Sequence, residues 1–445
     1  MGSSRCSRTE MGGVHNAGGL KGPPAITKTL AQVSKLDREE FPDQPRSANK
    51  SVPATYENFL HVIEATGIGI RFNVIAKRPE VTIPGLTAGR QNRDAVLLSH
   101  LESLIIRNDM SPAKASSYLL ALADTNPFDP FADWVNSEKW DRQGRLAEIC
   151  ATIIPEEGYD LAFRDILVTK WLLSIVAATF KAKGFRSRGV LTLQGGQGIG
   201  KTTWLSKLVT PQALRDDVVK LGHSWDGGSK DAKLGALRHR IVELGELEAS
   251  LRKEMAGLKA FITETSDKIR PPYGKVEAEY PRSTIFAASV NDRQFLLDTT
   301  GNSRFWTIPV TRIETDHTVD MQQVFAELKI RFDDGEQWWL TDEEEETLAT
   351  VNRQHRLISA VESKIEEALD LDLIGASGLP RMTASQVLKA IGIEKPTNAQ
   401  SKEANVALRT LLGEPTRSKG YYWWRVPWRQ PDQSGAAYDP ESETY

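Results

Sequence analysis

Apolar and polar positions divide the chain into stretches that can and cannot build a core. Residues 1–53 are rich in Gly, Ser, Pro and charge and poor in aromatics. Such a segment buries too little apolar surface to offset its ordering entropy, and it is expected to be a disordered tail. Residues 54–184 are expected to form an N-terminal, mostly helical domain. In it, 56–63 reads as a helix, and 69–72 and 73–77 read as short strands before Pro79. Within 95–107, Val96, Leu97, Leu101, Leu104 and Ile105 recur at helical spacing. Ser111-Pro112 has the form of an N-cap followed by proline at the first helical position. Asn126-Pro127-Phe128-Asp129-Pro130 breaks the chain. Trp134 and Trp140 follow in a short helix or loop, and 166–182 is a long apolar helix.

Strands and helices then alternate through 185–350, the signature of a parallel α/β sheet. The acidic run 342–346 suits the solvated start of a helix. A helical connector is expected over 351–379, with its helix at 361–371. In 380–429, Thr383 opens a helix that Gly392 ends, 398–412 gives a second, and 420–427 is a short aromatic strand. This order resembles a small winged-helix domain. Residues 430–445 are polar and are expected to be a flexible tail.

Composition narrows the classes. The chain has 445 residues and a net charge of -3, so any basic surface for nucleic acid must be local or arise on assembly. Two cysteines, Cys6 and Cys150, exclude a disulfide scaffold and a Cys-rich zinc site and fit a reducing cytoplasm. No apolar run is long enough to span a bilayer, and no membrane association is expected.

The chemistry centres on one loop. After the apolar strand 189–193, Gly195, Gly196, Gln197, Gly198, Ile199, Gly200, Lys201 and Thr202 fit G-x-x-x-x-G-K-[ST] in full, and a helix follows through Thr203 and Trp204. Glycines let the backbone curl so that its N–H groups face phosphate oxygens at a helix N-terminus. Lys201 is the residue to reach the β- and γ-phosphates of ATP, and Thr202 offers a hydroxyl to Mg²⁺. The strand 239–248 should supply the carboxylate. Glu246 takes the place of the final acid and is the expected base and a metal-side residue; Gly245 stands where the first acid is usual. Glu243 either substitutes for that acid or points across the sheet. Asn291, ending the strand 282–291, is placed to hold water or the γ-phosphate. Arg304, after a glycine turn and before Phe305 and Trp306, suits an arginine finger reaching a neighbouring subunit. Lys268, Arg270, Tyr273 and Lys275 cluster around Pro271-Pro272 and Gly274, a stiffened basic tip suited to single-stranded phosphates and bases. In the C-terminal unit, basic residues interleave with Tyr421, Tyr422, Trp423, Trp424 and Trp428, which serve either as core or as nucleic-acid contacts.

These residues resemble the virulence-associated E family, phage- and island-encoded proteins related to superfamily 3 helicases of the AAA+ class. The resemblance runs over roughly 90–350 and rests on the phosphate loop, Glu243 to Leu247, Lys259-Ala260-Phe261-Ile262-Thr263, Asp267 to Gly274, Asn291 and Gly301 to Trp306. One departure is Ser303, where relatives carry a second arginine. The resemblance implies an α/β fold with a P-loop AAA+-type ATPase core, and an ATP- and Mg²⁺-dependent DNA helicase or translocase. It further implies a homo-oligomeric, hexameric ring on single-stranded or forked DNA, with any primase or other replication protein a separate chain. The rival reading is a non-translocating ATPase switch or scaffold that interferes with phage replication or packaging. A kinase leaves Asn291 and Arg304 without a task, and no Asn-Lys-x-Asp element marks a GTPase.

Overall fold

The computed structural model describes residues 35–47, 50–87, 89, 92–181, 185–225, 229–245, 247, 257–270, 277–296, 302–356, 358–418 and 420–429. The expected base Glu246 and the tip residues Tyr273 and Lys275 lie outside the described residues, as do residues 1–34 of the first expected tail and all of the second, 430–445. The described chain forms two compact units, one up to Asp129 together with residues in Lys268–Ala278, the other covering the rest.

The first unit sets α1 (Tyr56–Ala65), α2 (Arg93–Arg107) and α3 (Ala115–Asp124) around a small sheet of β1 (Gly69–Asn73), β2 (Arg78–Thr82) and β3 (Pro127–Phe128), in the order β2-β1-β3. Two expectations are corrected here. The strand expected at 73–77 is a turn: the Asn73 side chain accepts the N–H groups of Ile75 and Ala76, a local partner that competes with strand pairing. The packed unit also starts well before residue 54, because Phe41 and Val52 are buried. Buried Asn58 on α1 clamps that segment: its amide donates to the carbonyls of Asp43 and Pro53, 2.9 Å each, and its oxygen accepts from Asp43 N–H. Ser111 caps a short 3₁₀ turn at Pro112–Lys114, the start that its sequence pattern implies.

The second unit begins with α4 (Pro130–Ser137), α5 (Leu146–Ala151), β4 (Ile153–Pro155) and α6 (Leu161–Phe180). The boundary expected at 184 therefore lies at 129/130. The reason is α6: it is apolar almost all round because it is buried against the main sheet, with Trp171 donating its indole N–H to the Phe286 carbonyl at 2.8 Å. Next come β5 (Val190–Gln194), α7 (Lys201–Lys207), α8 (Gln212–Val218), β6 (Val219–His223), α9 (Lys230–Leu237) and β7 (Ile241–Leu244). The strands β8 (Ser266–Ile269) and β9 (Ala278–Pro281) pair with each other, and β10 (Ile285–Val290), β11 (Phe305–Ile313), α10 (Met321–Asp333) and α11 (Asp342–Gln354) follow. The main sheet has the order β4-β11-β5-β10-β7-β6; every pair is parallel except β4 with β11. β5 and β7 are buried at every position, as strands covered on both faces must be. Gly189 is fixed by packing: a Cβ there would meet the Trp306 ring at 2.1 Å.

The chain ends with α12 (Ala360–Ala368), β12 (Arg381–Met382), α13 (Ala384–Ala390), α14 (Asn398–Leu412), β13 (Thr416–Ser418) and β14 (Tyr421–Arg425). The helix expected as a connector is part of this packed cluster: Val361, Ile365 and Leu369 share one core with Val387, Leu388, Leu408 and Trp424. Thr383 and Thr397 form complete capping boxes with Gln386 and Gln400, which fixes where α13 and α14 start. Among the described residues no helix is long and apolar enough to cross a membrane.

Candidate functional site

The parallel strands put the C-terminal ends of β5, β7 and β10 at one edge of the sheet, where the chain leaves each strand and loops can gather. A cavity of about 330 Å³ opens there, lined by residues 197–203 with Gly222, Glu243, Gly245, Ser289 and Asn291. The loop leaving β5 needs its glycines. A Cβ on Gly195 would sit 2.2 Å from the Val310 carbonyl oxygen of β11. Gly198 and Gly200 have φ of 81° and 100°, in the region that L side chains rarely adopt, and Gly200 hands the chain directly to Lys201 at the start of α7.

Lys201 is buried, and its ammonium donates to the carbonyls of Gly195 (2.5 Å) and Gly196 (2.8 Å) and to Asn291 Oδ1 (3.0 Å). The cation predicted to meet phosphate and the amide predicted to act as sensor therefore touch, although 90 residues separate them. Glu243 resolves to one of its two alternatives: it points into the cavity. It is 1% exposed, and its Oε1 accepts the hydroxyls of Thr202 (2.6 Å) and Ser289, while Oε2 accepts the Gly222 N–H at 3.1 Å. A buried carboxylate is tolerable when it is fully hydrogen-bonded, and three donors serve this one. An acid at position 245 would crowd β6, since a Cβ there would lie 3.0 Å from Gly222 Cα.

Two members of this site, Ser289 and Gly222, were not among the sequence candidates. Ser289 stands two residues before Asn291 on β10, and strand alternation could have marked it. Gly222 has no sequence signal. It falls where the β6–β7 register shifts, and that irregularity aims its N–H at Glu243. Among the described residues no group of three or more His, Cys, Asp or Glu side chains is placed to hold a metal. A cation at Thr202 and Glu243 would share its coordination with a ligand's own oxygens, as Mg²⁺ commonly does.

Arg304 is not in this cavity. It ends a 3₁₀ turn, Asn302–Arg304, just before β11, and β11 runs parallel to β5 with Phe305 opposite Val190 and Pro309 opposite Gln194. The arginine thus lies at the other edge of the sheet, roughly 15 Å along the strands from the loop. Lys268 and Arg270 are exposed, on and just after β8. Arg282, fully buried, makes a two-pronged ion pair with Asp267 at 2.6 and 2.7 Å and donates to the Phe261 carbonyl at 2.8 Å.

Two comparisons with known proteins returned matches. The virulence-associated protein E-like domain matches residues 135–357. Among solved structures, the A form apo structure of the NrS-1 C-terminal region is similar at 14% identity and a TM-score of 0.38, covering 83% of this chain and 98% of that one. A second apo structure of that region is similar at 12% identity and a TM-score of 0.33, with the same coverage. No curated protein matches. The domain match takes in the loop, Glu243, Asn291 and Arg304 and spans half of the sequence, and the chain belongs to the virulence-associated protein E-like domain family.

Proposed function

We propose that this protein is an ATP-hydrolysing enzyme of phage or mobile-element replication, a DNA helicase or translocase that works as a cytoplasmic ring. The observation that carries this reading is the meeting of Lys201, Asn291, Thr202 and Glu243 at the mouth of a glycine loop between a buried strand and a helix. In this reading the core is of the P-loop AAA+ type. Lys201 draws in the β- and γ-phosphates, and the N–H groups of residues 196–202 cradle them. Mg²⁺ would be held by Thr202 and Glu243 and would offset phosphate charge. Asn291 orients water, and Glu246 accepts its proton. Arg304 stabilises charge on the transferring phosphate of a neighbouring subunit, a placement suited to its position at the far edge of the sheet. The order α12-β12-α13-α14-β13-β14 supports reading the C-terminal cluster as a winged helix.

Lys201→Ala and Arg304→Ala should each be inactive in ATP turnover, because loss of a transition-state arginine costs ~10³-fold or more. Mixed together, they should recover part of the activity, since some interfaces then pair an intact Lys201 with an intact Arg304 of the adjacent subunit. Subunit exchange is followed in parallel by native mass spectrometry. No recovery despite exchange refutes the trans arginine, and full activity of Lys201→Ala refutes the nucleotide site itself.

A further inference from the structure

The acidic chain has one strongly basic end. Residues 380–429 hold nine Lys or Arg against three Asp or Glu, a net of +6 within a total of -3. The three strands of this cluster, in the order β12-β14-β13, turn only one face to the core. On β14, alternation sends Trp424 inward, 3% exposed, and sends Tyr421, Trp423 and Arg425 to the other face. Tyr421 is 64% exposed, far more than an aromatic ring usually is.

Register fixes what surrounds these rings. Arg381 stands opposite Arg425, and its guanidinium lies 5.7 Å from the centre of the Trp423 ring. Thr416 stands opposite Trp423, and Ser418 opposite Tyr421, so small polar residues flank both rings; Trp423 is half-buried, its indole N–H donating to the Ser418 carbonyl at 3.2 Å. A second cation–ring group sits on the opposite face of β14: Tyr422, 43% exposed, lies under Arg409 at 5.2 Å and Arg417 at 6.0 Å. Arg409 also pairs with Glu414, but none of the ion pairs among the described residues involves Arg381, Arg417 or Arg425. Two guanidinium groups on the outer face, Arg381 and Arg425, thus stand without a carboxylate beside the rings of Tyr421 and Trp423.

We infer that this outer sheet face is a binding platform for single-stranded nucleic acid, with Tyr421 and Trp423 stacking bases and Arg381 and Arg425 meeting phosphates. The charge selects a polyanion, and the rings select one whose bases are unpaired. A duplex keeps its bases stacked inside and could use only the arginines. The platform is separate from the nucleotide cavity and stands whether or not that cavity hydrolyses ATP.

The test uses the full chain and a fluorescent oligothymidylate of about 20 nucleotides, long enough for one module of this kind. Tyr421→Ala, at an exposed position, should weaken binding about 5- to 150-fold, the range for loss of one stacked base. Arg381→Gln with Arg425→Gln should lower the slope of log affinity against log salt by about 0.7 for each lost phosphate contact. Because another segment of the chain could also hold the oligonucleotide, a bromodeoxyuridine version is photocrosslinked and mapped by mass spectrometry. Crosslinks on the peptide carrying Tyr421 and Trp423 are expected. Their absence there while they form elsewhere overturns the proposal. So does a Tyr421→Ala protein that keeps parental affinity and the same crosslink map. If a duplex binds as tightly as the single strand and is insensitive to Tyr421→Ala, the stacking role is refuted.

Discussion

Glu243 gives the sharpest separation between a structural and a chemical role, through two substitutions. In Glu243→Gln the amide can be set so that its oxygen accepts the Gly222 N–H. Its NH₂ then donates to the Thr202 and Ser289 hydroxyls, which rotate from donor to acceptor. All three bonds of the parent network survive in that arrangement, so the stability loss should stay below about 1 kcal/mol. In Glu243→Ala the two hydroxyls can turn to water in the cavity, but the Gly222 N–H loses its acceptor, at a cost of about 1–3 kcal/mol. The chemical role ignores this distinction. Both variants lack the negative charge beside Thr202, and losing a metal-side carboxylate is worth about 3 kcal/mol, or about 100-fold in kcat. Phosphate release is measured over a range of Mg²⁺ concentrations, with thermal melts on the same preparations. The expected pattern is a Gln variant that melts like the parent yet turns over at about 1% of its rate. A Gln variant with parental turnover and an unchanged Mg²⁺ requirement refutes the assignment and returns the acid to Glu246. A Gln variant that melts far below the parent refutes the hydrogen-bond argument.

Two further substitutions give outcomes that can be measured. Gly245→Ala should cost about 1–3 kcal/mol in urea unfolding, because its methyl would press on the Gly222 backbone at 3.0 Å; a stable variant means β6 yields freely. The pKa of His355 is lowered, first by burial and then by the Arg293 charge, although its bond to the Arg293 carbonyl and the charge of Glu156 act the other way. The folded protein thus binds this proton less readily than the unfolded chain. The stabilising contribution is complete above the ordinary value of 6.5 and is lost as pH falls through the folded pKa. His355→Gln should reduce the loss of stability on acidification below pH 6.5, measured as the difference between parent and variant unfolding curves; identical pH slopes rule this out.

The sequence announces the loop because two independent signals coincide there: an apolar run that reads as a strand and a glycine spacing that matches a phosphate-binding turn. It does not announce where Glu243 points. Alternation tells one face of a strand from the other only when the faces differ in polarity, and Ile241–Leu244 is buried throughout. Gly222 is less legible still, since its part depends on a register irregularity against β7. The misread strand at 73–77 has a similar cause. Val74, Ile75 and Ala76 carry an apolar pattern, while the deciding interaction is the side chain of Asn73 folding onto its own backbone. For α6 the length and apolar character are plain, but an all-round apolar helix does not say which sheet buries it, so the break at 129/130 is not legible there.

The position of Arg304 follows from topology alone. In a parallel sheet every strand delivers its C-terminal end to the same edge, so a residue that precedes a strand stands at the opposite edge from the loops that follow its neighbours. Arg304 precedes β11, and the glycine loop follows β5, the strand beside it. No rotation of the Arg304 side chain covers roughly 15 Å, the length of β5 at strand rise. Within one subunit the two halves of the proposed site cannot meet without breaking the sheet. Under the proposed function they meet only between copies, with the far edge of one subunit against the cavity edge of the next. Such a head-to-tail contact repeats until it closes into a ring or grows as a filament. Under that proposal Ser303 has a consequence: Arg304 is the single arginine of the Asn302–Arg304 turn, so no second guanidinium of this turn could take over its task.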